Sequence, residues 1–226
     1  MAGLGRSGPQ TKVARSLGPA DLNLRSLNSF DMVRSFMTIG SVRRPGLLPE
    51  KSFPPYAYLP GRQPHPVRHP AGHSYGHEPL IVAVEAPLGS EAFRWGIDLF
   101  NHGYYWEAHE AWEPLWQAAD QSAPCRSLFK GLILLAAAGV KIREGKQVPA
   151  ARHAGRAAAL FRQAIRVKDP GFETALGMSP AVLAEYAEAA GTARAVLRAP
   201  MPAQAEPVFG FMLGQKSDSV CGQIKD

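Results

Sequence analysis

Apolar residues recur at helical spacing from about residue 90 onward. Phe93, Ile97 and Phe100 fall on one stripe, and Ser90 before them is a favourable N-cap, so a first helix is predicted to begin there. The same spacing, with Pro and Gly as boundaries, predicts the other helices. They are expected at about residues 104–118, 127–144, 150–167 and 180–199.

Short connections between these helices predict antiparallel neighbours. Breaks are expected at residues 101–103, at Gly145 and at residues 169–171. No strand-like alternation of useful length follows Ser90. The predicted fold class is therefore all-α, an up-and-down bundle of about five helices within residues 88–200.

The segments on either side of the bundle lack helical periodicity. Residues 48–87 form a Pro/His-rich arm that can be neither helix nor central strand, although its aromatic residues suggest that it lies against the bundle. Residues 1–47 are predicted to be disordered, and residues 201–226 a flexible tail. One apolar patch in that tail, residues 208–213, is expected to dock either on the bundle or on a partner.

The positive charge is confined to the N-terminal part of the chain. Residues 1–78 carry ten Lys/Arg against four Asp/Glu, whereas residues 79–226 carry fifteen of each, so the early residues supply the whole net charge of +6. Their cations are scattered among Gly, Ser and Pro without an aromatic stacking pattern, which argues against nucleic-acid binding. Residues 1–40 fit either an organellar transit peptide or an extension upstream of the true start.

The cysteine content indicates a reducing compartment, and the apolar runs are too short for a membrane span. Cys125 and Cys221 are too few for a disulfide framework and show no metal-finger spacing. The most apolar run, residues 132–140, lies between Lys130 and Lys141 and falls short of the roughly 20 residues that a membrane span needs. A cytoplasmic protein without membrane contact is therefore expected. Two further possibilities stay open, a homo-oligomer and a protein partner, each bound through the arm or the tail.

The second predicted helix contains the candidate site residues. At 100° per residue, four polar side chains share the arc opposite the apolar face, namely Glu107, His109, Glu110 and Glu113. Like charges on successive turns repel, so cations or a metal ion should lie between them. The candidate cations are Lys130, Lys141, Arg152 and Arg156. Pro114 removes the hydrogen bond to the carbonyl of Glu110 and should bend or break the helix.

Glutamate and histidine at helical spacing are typical of carboxylate-bridged metal sites, because oxygen and imidazole ligands suit zinc, iron or manganese. His109 and Glu113 are the candidate ligands, and Glu107 and Glu110 the candidate catalytic carboxylates. Glu113 replaces the second histidine of a zinc-protease motif, which argues against that class. If the arm folds back, His65 or His73 could complete the site; the simpler interpretation is that the arm histidines are solvated.

The segment 99–116, from Leu-Phe-Asn-His-Gly to Glu-Pro-Leu-Trp, resembles the signature of domain-of-unknown-function family 309. Residues 129–141 and those from 150 onward are similar to its third and fourth helices, so the resemblance covers about residues 90–165. It implies a bacterial all-helical bundle without an assigned activity, loosely described as a metal-dependent hydrolase. The signature positions are Asn101, Gly103, Glu107, His109, Glu110, Glu113 and Trp116.

Two hypotheses follow from the sequence. In the first, a divalent metal ion polarises a water molecule and a glutamate acts as general base for hydrolysis. In the second, the protein is a non-enzymatic binding or scaffold module in which the Glu/His cluster is a structural polar network. In both, supporting roles are expected for Asn101, Gly103, Trp116, Lys130, Lys141 and Arg152.

Overall fold

The computed structural model describes residues 46–77, 86–121, 123–166, 169–192 and 204–214. The predictions for residues 1–45 and for Cys221 lie outside these ranges. Within them all the regular secondary structure is helical, with no strand, which confirms the predicted fold class.

Six α-helices follow a short 3-10 turn at Pro87–Gly89. They are α1 (Glu91–Asn101), α2 (Tyr105–Ala118), α3 (Pro124–Arg143), α4 (Gln147–Ile165), α5 (Pro170–Leu176) and α6 (Pro180–Thr192). The helices α1 to α4 pack in sequential pairs, and α6 packs on α4. No helix in the described part of the chain is both long and apolar enough to cross a membrane.

The structure adds two details to the predicted helix boundaries. A break falls between α4 and the next helix, as predicted, but the Asp169 side chain also accepts a hydrogen bond from the backbone N–H of Gly171 and caps α5, a short helix that was not predicted, with Pro170 in its first turn. Helix α2 also continues through Pro114 without a break. Proline costs a helix one hydrogen bond, and the packing of Trp112 and Leu115, both fully buried, favours continuity.

The core is built around aromatic residues of α1 and α2. Trp112 is completely buried, and its indole N–H donates to the carbonyl oxygen of Phe93 at 3.2 Å. Gly96 makes this approach possible, because a Cβ atom there would lie only 2.1 Å from the Trp112 nitrogen. The largest other buried side chains are Phe93, Phe100, Tyr105, Phe129, Phe161 and Phe172.

The arm lies against α1 and α2, as its aromatic residues suggested. The Asp98 carboxylate, which is buried, accepts hydrogen bonds from the backbone N–H groups of Leu47 at 2.7 Å and Leu48 at 2.8 Å. Phe53 stacks on Trp95 and on Tyr104, with ring centroids 5.3 and 5.2 Å apart. The arm is therefore attached by both polar and aromatic contacts.

Residues 204–214 pack on the bundle, which corrects the prediction of a flexible tail for this part of the chain. Phe209 stacks on Phe100 at 5.0 Å, and Phe211 stacks on Tyr186 at 4.7 Å. The apolar patch predicted at residues 208–213 thus docks on its own bundle. The physical reason is that burial of these rings removes apolar area from water, which offsets the entropy lost on ordering the segment.

Candidate functional site

Helix α2 brings three of the predicted polar residues together. His109, Glu110 and Glu113 each offer a ligand atom, and these atoms lie within 4.8 Å of one another. His109 Nε2 and Glu113 Oε2 are 3.5 Å apart, one helical turn from each other. Their side chains are 24% and 36% exposed, so solvent reaches the group. We call these three residues the α2 cluster.

Burial and charge shift the pKa values of two members of the α2 cluster. Burial lowers the pKa of His109, the Glu113 carboxylate opposes this shift, and Lys130 adds to it, so the imidazole is neutral at pH 7. Burial raises the pKa of Glu110, and the charges of Glu113 and Glu107 act in the same direction. The Arg68 guanidinium acts against them. The cluster thus combines a neutral imidazole with a carboxylate of increased basicity.

Glu107 lies on the same arc of α2, but its carboxylate does not belong to the α2 cluster. Its side chain is only 6% exposed and turns toward the arm. Glu107 Oε1 accepts a hydrogen bond from the backbone N–H of Tyr58 at 2.9 Å and lies 3.2 Å from His73 Nε2. Because the arm occupies this carboxylate oxygen, Glu107 anchors the arm to α2.

The arm histidines fall into two classes. His69 and His77 are exposed, as the simpler interpretation predicted. His73 is not, because its side chain is 8% exposed and bridges Glu107 and the Ser74 hydroxyl, which lies 2.9 Å from Nδ1. His65 packs its ring 5.4 Å from that of Trp106. Neither His65 nor His73 belongs to the α2 cluster.

Two cations lie on the face of Trp116, one turn beyond Glu113. Lys130 Nζ is 3.7 Å from the centroid of the indole ring, and the Arg126 guanidinium carbon is 4.8 Å from it. Arg126 also donates to the carbonyl oxygens of Trp116 and Ala119. Trp116 therefore lies one helical turn from Glu113, with Lys130 over the face of its ring.

The other predicted supporting cations are elsewhere. Lys141 forms a salt bridge with Glu144 at 2.5 Å, instead of with an α2 glutamate. Arg152 and Arg156 are exposed on α4. Burial lowers the pKa of His153, and the charges of these two arginines lower it further. Burial raises the pKa of Glu110, and the charge of the arm residue Arg68 only partly opposes this rise.

Asn101 and Gly103 hold the tail. The Asn101 amide donates to the carbonyl oxygen of Leu213 and accepts from its N–H, both at 2.9 Å. Gly103 has a φ of 88°, and its carbonyl oxygen accepts from Arg143, which is buried and also donates to Gln204. Sequence reasoning missed Asp98 and Arg143. Asp98 was signalled only as a charged residue within the apolar residues 96–100, and Arg143 had no comparable signal because charged residues surround it.

These features define a small helical-bundle protein with a partly buried Glu/His cluster on one helix and two terminal segments anchored beside it. Residues 93–153 match the family model described as Domain of unknown function (DUF309), which confirms the resemblance stated above. The matched segment runs from α1 into α4 and contains the whole α2 cluster. Neither a curated protein nor a solved structure matches the chain.

Proposed function

We propose that this protein is a metal-dependent hydrolase whose α2 cluster binds one divalent metal ion. The observation that carries the proposal is the convergence of three ligand atoms from His109, Glu110 and Glu113 within 4.8 Å on a partly exposed helix face. An imidazole and carboxylates suit zinc, iron or manganese. His109 is ready to coordinate because its lowered pKa leaves a nitrogen lone pair free at neutral pH.

Within this proposal His109 and Glu113 are the ligands. Their nearest nitrogen and oxygen atoms are already 3.5 Å apart, so a small movement would direct both at one ion. The ion would polarise a water molecule and lower its pKa. Glu110 is the general base, since burial and neighbouring carboxylates bring its pKa toward neutrality. Glu107 has no catalytic role in this assignment, because it anchors the arm.

The test is the metal content of untagged protein purified without chelators, measured by plasma mass spectrometry. We expect close to one equivalent of zinc, iron or manganese in the native protein and less than about a tenth of that in His109→Ala, because loss of an inner ligand removes several kcal/mol of binding. Far-UV circular dichroism should show unchanged helicity in the variant.

Two control variants sharpen this measurement. His77→Ala removes an exposed arm histidine and should keep the metal. Glu107→Gln should also keep it, since Glu107 lies outside the α2 cluster. A metal-free native protein would contradict the proposal, and so would equal metal content in native protein and His109→Ala.

One observation favours a second candidate, a non-enzymatic scaffold. Three polar side chains of α1 and α2, those of Asp98, Asn101 and Glu107, bond to backbone groups of the arm or the tail. A polar network of this kind can be purely structural. Metal-free protein that remains folded after His109→Ala would make the scaffold the better description.

A further inference from the structure

We propose that Ser74, His73 and Glu107 form a second catalytic centre, in which Ser74 is a nucleophile that cleaves carboxylic esters. The centre lies where the arm crosses α2 and uses no metal ion, so it goes beyond the function proposed for the α2 cluster. The inference is carried by a continuous series of contacts from a hydroxyl group through an imidazole to a carboxylate.

The three side chains are joined by two contacts at hydrogen-bond distance. Ser74 Oγ lies 2.9 Å from His73 Nδ1, and His73 Nε2 lies 3.2 Å from Glu107 Oε1. A nucleophile within reach of a base, and a base oriented by a third group, is the arrangement that activates a serine. The two ring nitrogens have the reverse order of the serine-protease triad, but either nitrogen of a neutral imidazole can act as the base.

Glu107 decides which nitrogen of His73 carries the proton. An ionised carboxylate only accepts hydrogen bonds, so the contact with Glu107 places the imidazole proton on Nε2. The lone pair of Nδ1 is then directed at the Ser74 hydroxyl, which donates to it. Glu107 is thus a positioning residue, and its charge stabilises the imidazolium that forms when His73 takes the serine proton.

Burial strengthens the interaction between His73 and Glu107. Both side chains are buried, so water screens the charges that develop on them only weakly. Tyr56 also fixes the imidazole, because its ring lies 4.7 Å from that of His73 and its hydroxyl accepts from the His73 backbone N–H at 3.4 Å. Glu107 Oε2 has no hydrogen-bond partner in the described part of the chain, so the carboxylate directs its charge to the partners of Oε1.

Ser74 is reached from the solvent. Its residue is half-buried, and the two residues that follow it, Tyr75 and Gly76, are exposed. They belong to a turn that is closed by a hydrogen bond from the His77 N–H to the Ser74 carbonyl oxygen at 3.3 Å. Within the described residues the N–H of Gly76 donates to no acceptor, so this turn has a donor to offer to the oxyanion of a reacting ester. A substrate can therefore approach Ser74 while His73 stays enclosed.

The reaction is ester hydrolysis in two steps. Ser74 Oγ bonds to the carbonyl carbon of the ester and its proton passes to His73 Nδ1. The bond from that carbon to the alcohol oxygen then breaks, and the alcohol takes up the proton. In the second step a water molecule bonds to the acyl carbon and the bond to Ser74 Oγ breaks, with His73 passing the water proton to the serine. The products are a carboxylic acid and an alcohol, and water is the only co-reactant.

The experiment treats the full chain with an alkyl fluorophosphonate, which bonds covalently to an activated serine and releases fluoride. Intact-mass and peptide-mapping mass spectrometry follow the reaction in the presence of EDTA, so the outcome does not depend on the metal ion proposed for the α2 cluster. We expect a single label, on Ser74, and none in Ser74→Ala. The native chain should react at least about 100-fold faster than the chain unfolded in urea, as general-base assistance predicts.

Two conservative variants test the other two residues. His73→Gln should slow the labelling about 100-fold, because the base is lost. Glu107→Gln keeps a carbonyl oxygen for the Tyr58 N–H and removes only the charge. It should lower the maximum labelling rate by about tenfold or more and leave the probe concentration at half-maximal rate unchanged, since Glu107 does not touch the probe. Ser52→Ala is the matched control, because Ser52 is an exposed serine of the same arm, and it should be labelled at the native rate.

Ester cleavage is measured on the same proteins with 4-nitrophenyl acetate, which the native chain should hydrolyse faster than Ser74→Ala. A native chain that takes no label, or a label on Tyr56 or Tyr75 instead of Ser74, would overturn the proposal. Equal labelling rates in native protein and His73→Gln would overturn it too, because a merely structural bridge between arm and α2 does not activate the hydroxyl. A labelled Ser74 without ester hydrolysis would overturn the substrate class.

Discussion

Replacing Gly103 with alanine is expected to lower the free energy of unfolding by about 2–3 kcal/mol and to release the tail from the bundle. Gly103 has a φ of 88°, a conformation that strains any residue with a side chain. A Cβ atom there would also lie 2.5 Å from the carbonyl carbon of Glu206 and 2.7 Å from the nitrogen of Pro207. Both are backbone atoms, so the tail itself would have to move.

Urea denaturation measures the stability, and limited proteolysis within residues 204–214 measures the release of the tail. Gly155→Ala is the control, because Gly155 lies within α4 and a Cβ atom there meets nothing within 4 Å. That change should increase stability by up to about 1 kcal/mol, through helix propensity. Equal effects of the two substitutions would show that the contact between Gly103 and the tail contributes nothing.

Trp112→Ala is expected to destabilise the protein by about 3–5 kcal/mol, as for other buried tryptophans. Trp112 is fully buried, packs against Gly96 and Phe100, and bonds to the carbonyl oxygen of Phe93. Its removal leaves a large cavity between α1 and α2 and deletes the hydrogen bond to the carbonyl oxygen of Phe93. The α2 cluster lies on the same helix, so the metal binding that we propose for it should weaken as well.

Thermal and urea unfolding followed by circular dichroism will measure this change. Val148→Ala is the control, because Val148 on α4 is 70% exposed and its truncation should change stability by less than about 0.5 kcal/mol. A loss below about 1 kcal/mol for Trp112→Ala would mean that the core closes around the missing ring, contrary to the tight packing of Trp112 between α1 and α2.

Helix periodicity predicted most of the bundle because the apolar stripes of α1 to α4 are local features of the chain. The stop at residues 101–103 is an example, since α1 ends at Asn101 and the positive φ of Gly103 redirects the chain. The short helix α5 was missed because Pro170 and Gly171 indicate a turn unless Asp169 is recognised as a cap.

The candidate site was only partly predictable, for a different reason. His109, Glu110 and Glu113 are neighbours on one helix, so their spacing alone brought them together. Glu107 belongs to the same arc, but its direction is decided by Tyr58, a residue 49 positions away. Asn101 likewise meets Leu213 across 112 positions. Contacts between a side chain and a distant backbone group leave no periodic signal in a sequence.

The attachment of both terminal segments to α1 has a topological consequence. A Cβ atom on Gly214 would lie 3.1 Å from Leu47 Cδ1 and 3.1 Å from Ile97 Cγ2, so the two ends of the described chain meet at one corner of the bundle. The path from residue 46 to residue 214 is therefore nearly a closed ring. A circular permutant that joins these ends through a short linker and opens at the turn around Gly145 should retain the helical content measured by circular dichroism. Because the two ends meet, the same packing of helices should tolerate chain termini placed at a different loop.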